Sequence, residues 1–293
     1  MVGVLPLPLN QLKVMRTFFD AQQVDDVLSN PENLIPPRKL FGSYWYENEI
    51  CFLIADSNVG KTIIAGDIAI AVDSGFNYWN QAMCELSGAK NIVMYDLEQS
   101  KRQFTARYVN KGFKLNNITR VEFDPRNVEA FSKEDFLEDI ETRINANLHN
   151  IFIVDNLSCI LPNAINACEA IQFMRSLKAI KELNRNVSFL VLAHTQKRNM
   201  GKPIDQNNLI GSKFLMNFAD SAFAIGFSIK DTTTRYIKQI KKEFAQWKSE
   251  EPDFDEDFFD EDAVESYLQY LVGYVHKDDW YVIEDRPEKQ NKQ

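Results

Sequence analysis

Long hydrophobic runs are missing from this chain. None reaches the ~18 consecutive apolar residues that a membrane-spanning helix needs, so a span of that kind is excluded. Cysteine is sparse as well. The four thiols, Cys51, Cys84, Cys159 and Cys168, show neither metal-ligand spacing nor a secreted disulfide pattern. They read as reduced, cytoplasmic and mostly buried, with Cys51 and Cys159 inside or beside apolar runs. The apolar N-terminus has no basic residues ahead of it and is broken by Pro6 and Pro8, which argues against a signal peptide. Internal repeats are absent. Between Glu250 and Asp262 there is no basic residue at all, and the nine acidic ones equal the whole net charge of −9. The rest of the chain is neutral overall, so the total charge does not exclude nucleic acid as a partner. Phe254, Phe258 and Phe259 within the acidic run suit it to dock on a basic protein surface, making segment 250–262 a candidate partner contact.

What is present begins with 293 residues of 45% apolar content, enough for one large core. The most informative stretch is Ala55-Asp56-Ser57-Asn58-Val59-Gly60-Lys61-Thr62. It follows the apolar run Ile50–Ile54 and precedes the helically spaced Ile63–Ala71. Strand, tight loop and helix in that order make a phosphate-binding P-loop, in which backbone N–H groups and the helix N-terminus surround a polyphosphate. Asp56, Ser57, Asn58, Val59, Gly60, Lys61 and Thr62 are the expected nucleotide contacts. Lys61 reaches the β/γ-phosphates, and the Thr62 hydroxyl ligates Mg²⁺. ATP and Mg²⁺ are therefore the expected cofactors. Ala55 stands where the pattern has glycine, which is tolerable if its φ stays negative.

Short, continuous apolar runs predict strands at 49–55, 91–96, 120–123, 151–155, 187–193 and 221–227, buried on both faces of a parallel sheet. Helices are predicted at 10–28, 61–74, 100–112, 132–148 and 167–184, the fourth opened by a capping-box-like Ser132 and Asp135. An alternating strand at 233–241 and a further one at 267–275 follow. The fold class is α/β, a mostly parallel central sheet flanked by helices with extra strands at the C-terminus. The expected organisation is an N-terminal helical segment (1–36), an ATPase core (37–247) and the acidic segment with its C-terminal strand (248–293).

Three more strand ends carry polar chemistry, where an open α/β sheet binds its ligand. Asn150–Asn156 delivers Asp155 at a strand end, the Walker B arrangement for holding Mg²⁺ through water. Asn91–Glu98 places Asp96 and Glu98 two apart, on one side of a strand end, with Glu98 as general base for the attacking water. Val187–His194 ends in a histidine suited to sense the γ-phosphate.

Glu98 after the P-loop helix, Asp155, and His194 ending the next strand together resemble RecA-like P-loop ATPases. Tyr95-Asp96-Leu97-Glu98-Gln99-Ser100 resembles the strand-end glutamate motif of DnaB-type replicative helicases. Leu192-Ala193-His194-Thr195, Gly211-Ser212-Lys213 and Asp220–Ile225 are similar to RepA-type plasmid helicases and small AAA-type ATPases of bacterial mobile elements. The resemblance implies a RecA-like core, a homo-oligomeric ring or filament, and action on single- or double-stranded DNA in replication, repair or mobile-element maintenance. It makes 196–212 the loop facing DNA, with Lys197, Arg198, Lys202 and Lys213 as contacts. It matches Lys241 to a lysine that reaches a neighbour's nucleotide, although Lys241-Lys242-Glu243 lacks the family's arginine. The alternative is a nucleotide-dependent binding or regulatory module with weak hydrolysis, acting through protein partners.

Overall fold

The computed structural model describes residues 21–74, 84–85, 91–109, 117–164, 166–198, 202–211, 213–228, 234–242, 276–277 and 280–284. The acidic run 250–262 and the strand expected at 267–275 lie outside the described residues. The chain divides into two compact units, Met1–Pro36 and Pro37–Gln293. In the first, helix α1 runs Val24–Ser29 and a 3-10 turn follows at Pro31–Leu34. Residues 10–20 of the expected N-terminal helix lie outside the described residues.

The second unit is built on one sheet. Its strands are β3 (Ile50–Ala55), β4 (Ile92–Asp96), β5 (Ile118–Val121), β6 (Ile151–Asp155), β7 (Ser188–His194), β8 (Ser221–Phe227), β9 (Thr234–Lys242), β10 (His276–Lys277) and β11 (Trp280–Glu284). Their spatial order is β10-β11-β9-β8-β3-β7-β6-β4-β5. From β5 to β8 every pairing is parallel, and β9, β11 and β10 then add antiparallel strands. The β1 (Lys39–Phe41) and β2 (Trp45–Tyr46) hairpin went unread from the sequence, because its strands are too short to show a period of two.

Helices α2 (Lys61–Ser74), α3 (Lys101–Tyr108), α4 (Lys133–Asn145), α5 (Leu157–Ile160), α6 (Ala167–Leu183) and α7 (Lys213–Phe218) connect these strands. The capping box of α4 forms as its residues predict: Ser132 accepts from Asp135 N–H, and the Asp135 side chain accepts from Ser132 N–H. That helix stops at Asn145 instead of 148, where Asn147 takes a positive φ of 53°. Of the cysteines, Cys51 is buried, Cys84 and Cys159 are half-buried, and Cys168 is exposed in the first turn of α6. Burial thus holds for one thiol only.

Strand residues alternate between two apolar layers. Ile50, Phe52 and Ile54 join α4 and α6 on one face. Cys51, Leu53 and Ala55 join α2 and the β1–β2 hairpin on the other. Both faces of β3, β4 and β6 are buried, which is why these strands read as unbroken apolar runs. Such a sheet has its polar chemistry only at its ends.

Candidate nucleotide site

Sheet register brings the chosen residues to one edge of the sheet, with His194 two residues beyond the level of Asp155. Ala55 pairs with His194, and Asp96 pairs with Asp155, all at the C-terminal ends of their strands. Strand β7 lies between the strand feeding the P-loop and the strand ending in Asp155. The loop leaves β3, turns through Asn58 at φ 64° and Gly60 at φ 112°, and enters α2. No atom lies where a Cβ on Gly60 would sit, so glycine is required there by its backbone conformation and not by space. Ala55 is not among the described residues with positive φ, the condition under which alanine can stand there.

Lys61 is 6% exposed. Its Nζ lies 2.9 Å from His194 Nδ1 and 3.5 Å from the Ala55 carbonyl. Burial lowers its pKa, against the opposing pull of Asp155, Glu98 and Asp56. Burial also lowers the pKa of His194, helped by the charge of Lys61.

Asp155 is 1% exposed, and neither carboxylate oxygen has a hydrogen-bond partner of regular geometry. Burial raises its pKa to about 6, with Glu98 and Asp96 adding to the rise, while the adjacent Thr62 hydroxyl and Lys61 hold it down. A buried carboxylate left with bare lone pairs beside a hydroxyl fits a hard cation. Among the described residues no three His, Cys, Asp or Glu side chains form a metal cage.

Asp96 and Glu98 do not share a side. Strand β4 ends at Asp96, so its alternation does not extend to Glu98. Asp96 is fully buried, its Oδ2 accepting from Arg120 Nε at 2.8 Å and its Oδ1 from Gln99. Glu98 instead turns to the site. Its side chain is 47% exposed, with Oε1 accepting from Asn156 Nδ2 at 2.5 Å and lying 3.9 Å from His194 Nε2.

Several contacts escaped sequence reasoning. Asp56 is held by the Thr195 hydroxyl and by Arg198, whose guanidinium donates at 2.6 and 3.1 Å. Arg198 was expected to face DNA. Its side chain is 6% exposed, and its pairing with Asp56 turns it toward the P-loop. Lys197 and Lys202 are exposed on the same loop, and Lys213 opens α7. Arg235 on β9 donates to the Val59 carbonyl at 2.6 Å and covers the Phe227 ring. Its arginine lay inside a visible basic stretch, but only the antiparallel course of β9 brings it to the P-loop. That same course carries Lys241 to the opposite end of the sheet, paired with Ala222, where its Nζ donates to the carbonyls of Met216 (3.2 Å) and Ala219.

A mostly parallel sheet flanked by helices, with one strand inserted between the strand that feeds the P-loop and the strand that ends in Asp155, is a RecA-like fold. A family model described as an AAA domain matches residues 15–200, and the chain belongs to that family. No curated protein matches the chain in sequence. Among solved structures, the chain is similar to a KaiC-like protein from the hyperthermophilic archaeon Pyrococcus horikoshii OT3. That likeness covers 71% of this chain and 89% of the other at 14% identity, with a TM-score of 0.48. Among the described residues no helix is long and apolar enough to cross a membrane.

Proposed function

We propose that the protein is a Mg²⁺-dependent ATPase that assembles with copies of itself and acts on DNA. The observation that carries the nucleotide reading is the buried Asp155 carboxylate, without a hydrogen-bond partner of regular geometry and facing the hydroxyl of Thr62 at the start of the P-loop helix. Thr62 and Asp155 would hold Mg²⁺, which when bound neutralises charge on the phosphate oxygens. Lys61 turns from His194 to the β/γ-phosphates, cradled by the loop from Asp56 to Gly60. Glu98 orients a water for attack on the γ-phosphate and accepts its proton. His194 faces both Lys61 and Glu98, so it is placed to register whether the γ-phosphate is present.

Action on DNA is supported by exposed Lys197 and Lys202, on the loop that begins one residue after His194. Thr195 and Arg198 tie that loop to Asp56 of the P-loop, which gives nucleotide state a physical route to it. Replication, repair or mobile-element maintenance as the setting rests on resemblance of the strand-end motifs. Turnover of ATP by the purified protein, with and without single-stranded DNA, tests the reading, alongside native mass with and without ATP. Absence of turnover with Mg-ATP overturns it.

One observation favours the second reading, a nucleotide-dependent binding module with weak hydrolysis. The Lys241 ammonium is engaged by carbonyls at the end of α7 in its own chain, so it is not presented as a free cation to a neighbour's phosphates.

A further inference from the structure

We propose that Asn156 is a positioning residue that aligns the Glu98 carboxylate with the His194 ring and fixes which ring nitrogen carries the proton. This rests on the reading of the site as ATP-hydrolysing. Asn156 is fully buried and caps the N-terminus of α5. Its Oδ1 accepts from Ser158 N–H at 2.9 Å and from the Ser158 hydroxyl at 2.6 Å. A backbone N–H can only donate, so this cap fixes which end of the amide is oxygen. The NH₂ end is thereby turned into the site. It donates to Glu98 Oε1 at 2.5 Å and lies 3.1 Å from His194 Nε2.

An amide nitrogen has no lone pair to offer, so where it bonds the ring, His194 Nε2 is the acceptor. The proton of the neutral imidazole then sits on Nδ1, which faces the Lys61 ammonium at 2.9 Å, donor against donor. The ring meets two donors and can accept from only one of them. The conflict ends when Lys61 moves to a polyphosphate, leaving His194 with an N–H directed at the P-loop side. Asn156 therefore does two things through one NH₂ group: it orients the carboxylate that orients water, and it keeps a donor on the histidine facing phosphate.

Asn156→Ser and Asn156→Asp separate this from capping, because both side chains cap helices well while neither supplies the amide donor. Steady-state ATP hydrolysis, binding of a fluorescent ATP analogue and thermal melting are measured on the full chain. Asn156→Ser is expected to melt and bind nucleotide like wild type and Asn156→Asp to fold but melt lower, because its carboxylate is buried beside Glu98; in both, kcat falls by about 10–100-fold with KM little changed. The Asn156→Asp loss is the larger, since a carboxylate then faces Glu98. Adding Asn156→Ser to Glu98→Gln is expected to cost little more than Glu98→Gln alone, because the two act on one water. Folded variants with kcat within about twofold of wild type overturn the proposal. So does loss of folding in both, which makes Asn156 a structural cap. Wild-type protein without turnover overturns the ATPase reading itself, a different and separable failure.

Discussion

Lys61 Nζ and His194 Nδ1 stand 2.9 Å apart, so the end of strand β7 meets the P-loop lysine directly. Register makes this contact: Ala55 pairs with His194, and Lys61 reaches back over the Ala55 carbonyl. With Asp155, Glu98 and Asp56 acting on it, Lys61 is the cation that offsets a local excess of carboxylate.

Lys61→Ala is expected to abolish hydrolysis and weaken nucleotide binding, because it removes the cation from beside the β/γ-phosphates and leaves Asp155 without its nearest positive charge. Turnover and binding of a fluorescent ATP analogue measure the two effects separately. Unchanged turnover in the purified variant would remove the P-loop assignment.

Glu98→Gln and Asp96→Asn should fail in different ways. Glu98 faces the site, and its replacement is expected to leave nucleotide affinity intact and cut turnover by roughly 10²–10⁴-fold. Asp96 is sealed against Arg120 and Gln99. Its replacement weakens a charge-assisted contact inside the sheet edge, costing about 1–3 kcal/mol of stability and leaving turnover near wild type. Paired denaturation and activity curves decide; lost turnover with retained stability in Asp96→Asn would reverse the two roles.

The sheet was legible because its strands are buried on both faces and so carry unbroken apolar runs bounded by polar strand ends. Lys61, Thr62 and Asp155 stand out for the same reason, each closing or following such a run. The separate fates of Asp96 and Glu98 were not legible, since they depend on where β4 stops and on Arg120, which lies on another strand. Nor was the pairing of Arg198 with Asp56, which joins positions far apart in sequence through a loop of no regular period. Asn156 lay in plain view beside Asp155, yet its role needs the direction of its amide, which only the cap to Ser158 determines.

The loop after β7 is expected to bind DNA through Lys197 and Lys202 and not through Arg198. Replacing both lysines with alanine should lower the dependence of affinity on log salt by about 1 per lost phosphate contact. Arg198→Ala should leave that slope alone and instead destabilise the P-loop, since Asp56 stays behind with its ion pair broken, at a cost of order 3 kcal/mol. A salt series on the three proteins with a fixed single-stranded oligonucleotide tests this. A flattened slope in Arg198→Ala would place the guanidinium on DNA.

Stability should fall with rising pH through a second buried carboxylate. Glu49 is fully buried below the central strands, accepting from Ser221 Oγ at 2.7 Å and Tyr46 N–H at 3.0 Å. Burial pushes its pKa from 4.5 to about 7, Ser221 and Tyr46 hold it down, and Asp220 adds to the rise. A folded-state pKa above the unfolded one favours the protonated fold, so the contribution is complete below pH 4.5 and is lost as pH rises through about 7. The shift corresponds to roughly 3 kcal/mol. Glu49→Gln, always neutral, should flatten the loss in urea-denaturation stability between about pH 5 and about pH 8. An equally steep loss in the variant would assign the pH dependence to other groups.

Lys241 distinguishes the two functional readings. Its strand runs antiparallel to β8, so it sits beside Ala222 at the sheet end opposite the P-loop, and it cannot serve the nucleotide of its own chain. Its ammonium donates to the carbonyls of Met216 and Ala219, satisfying acceptors that the end of α7 leaves open. To reach a neighbour's phosphates it would first have to leave both, so the expected role is a helix-end contact. Lys241→Ala should then cost about 1–2 kcal/mol of stability and leave turnover per folded subunit close to wild type. Mixing Lys241→Ala subunits with Glu98→Gln subunits supplies the decisive comparison. If the lysine acts across a boundary, interfaces pairing an intact Glu98 with an intact Lys241 recover activity that neither variant has alone. If it only caps α7, the mixture shows the sum of its parts. Recovery above that sum would restore Lys241 to the catalytic set and favour the assembled ATPase over the weakly hydrolysing module.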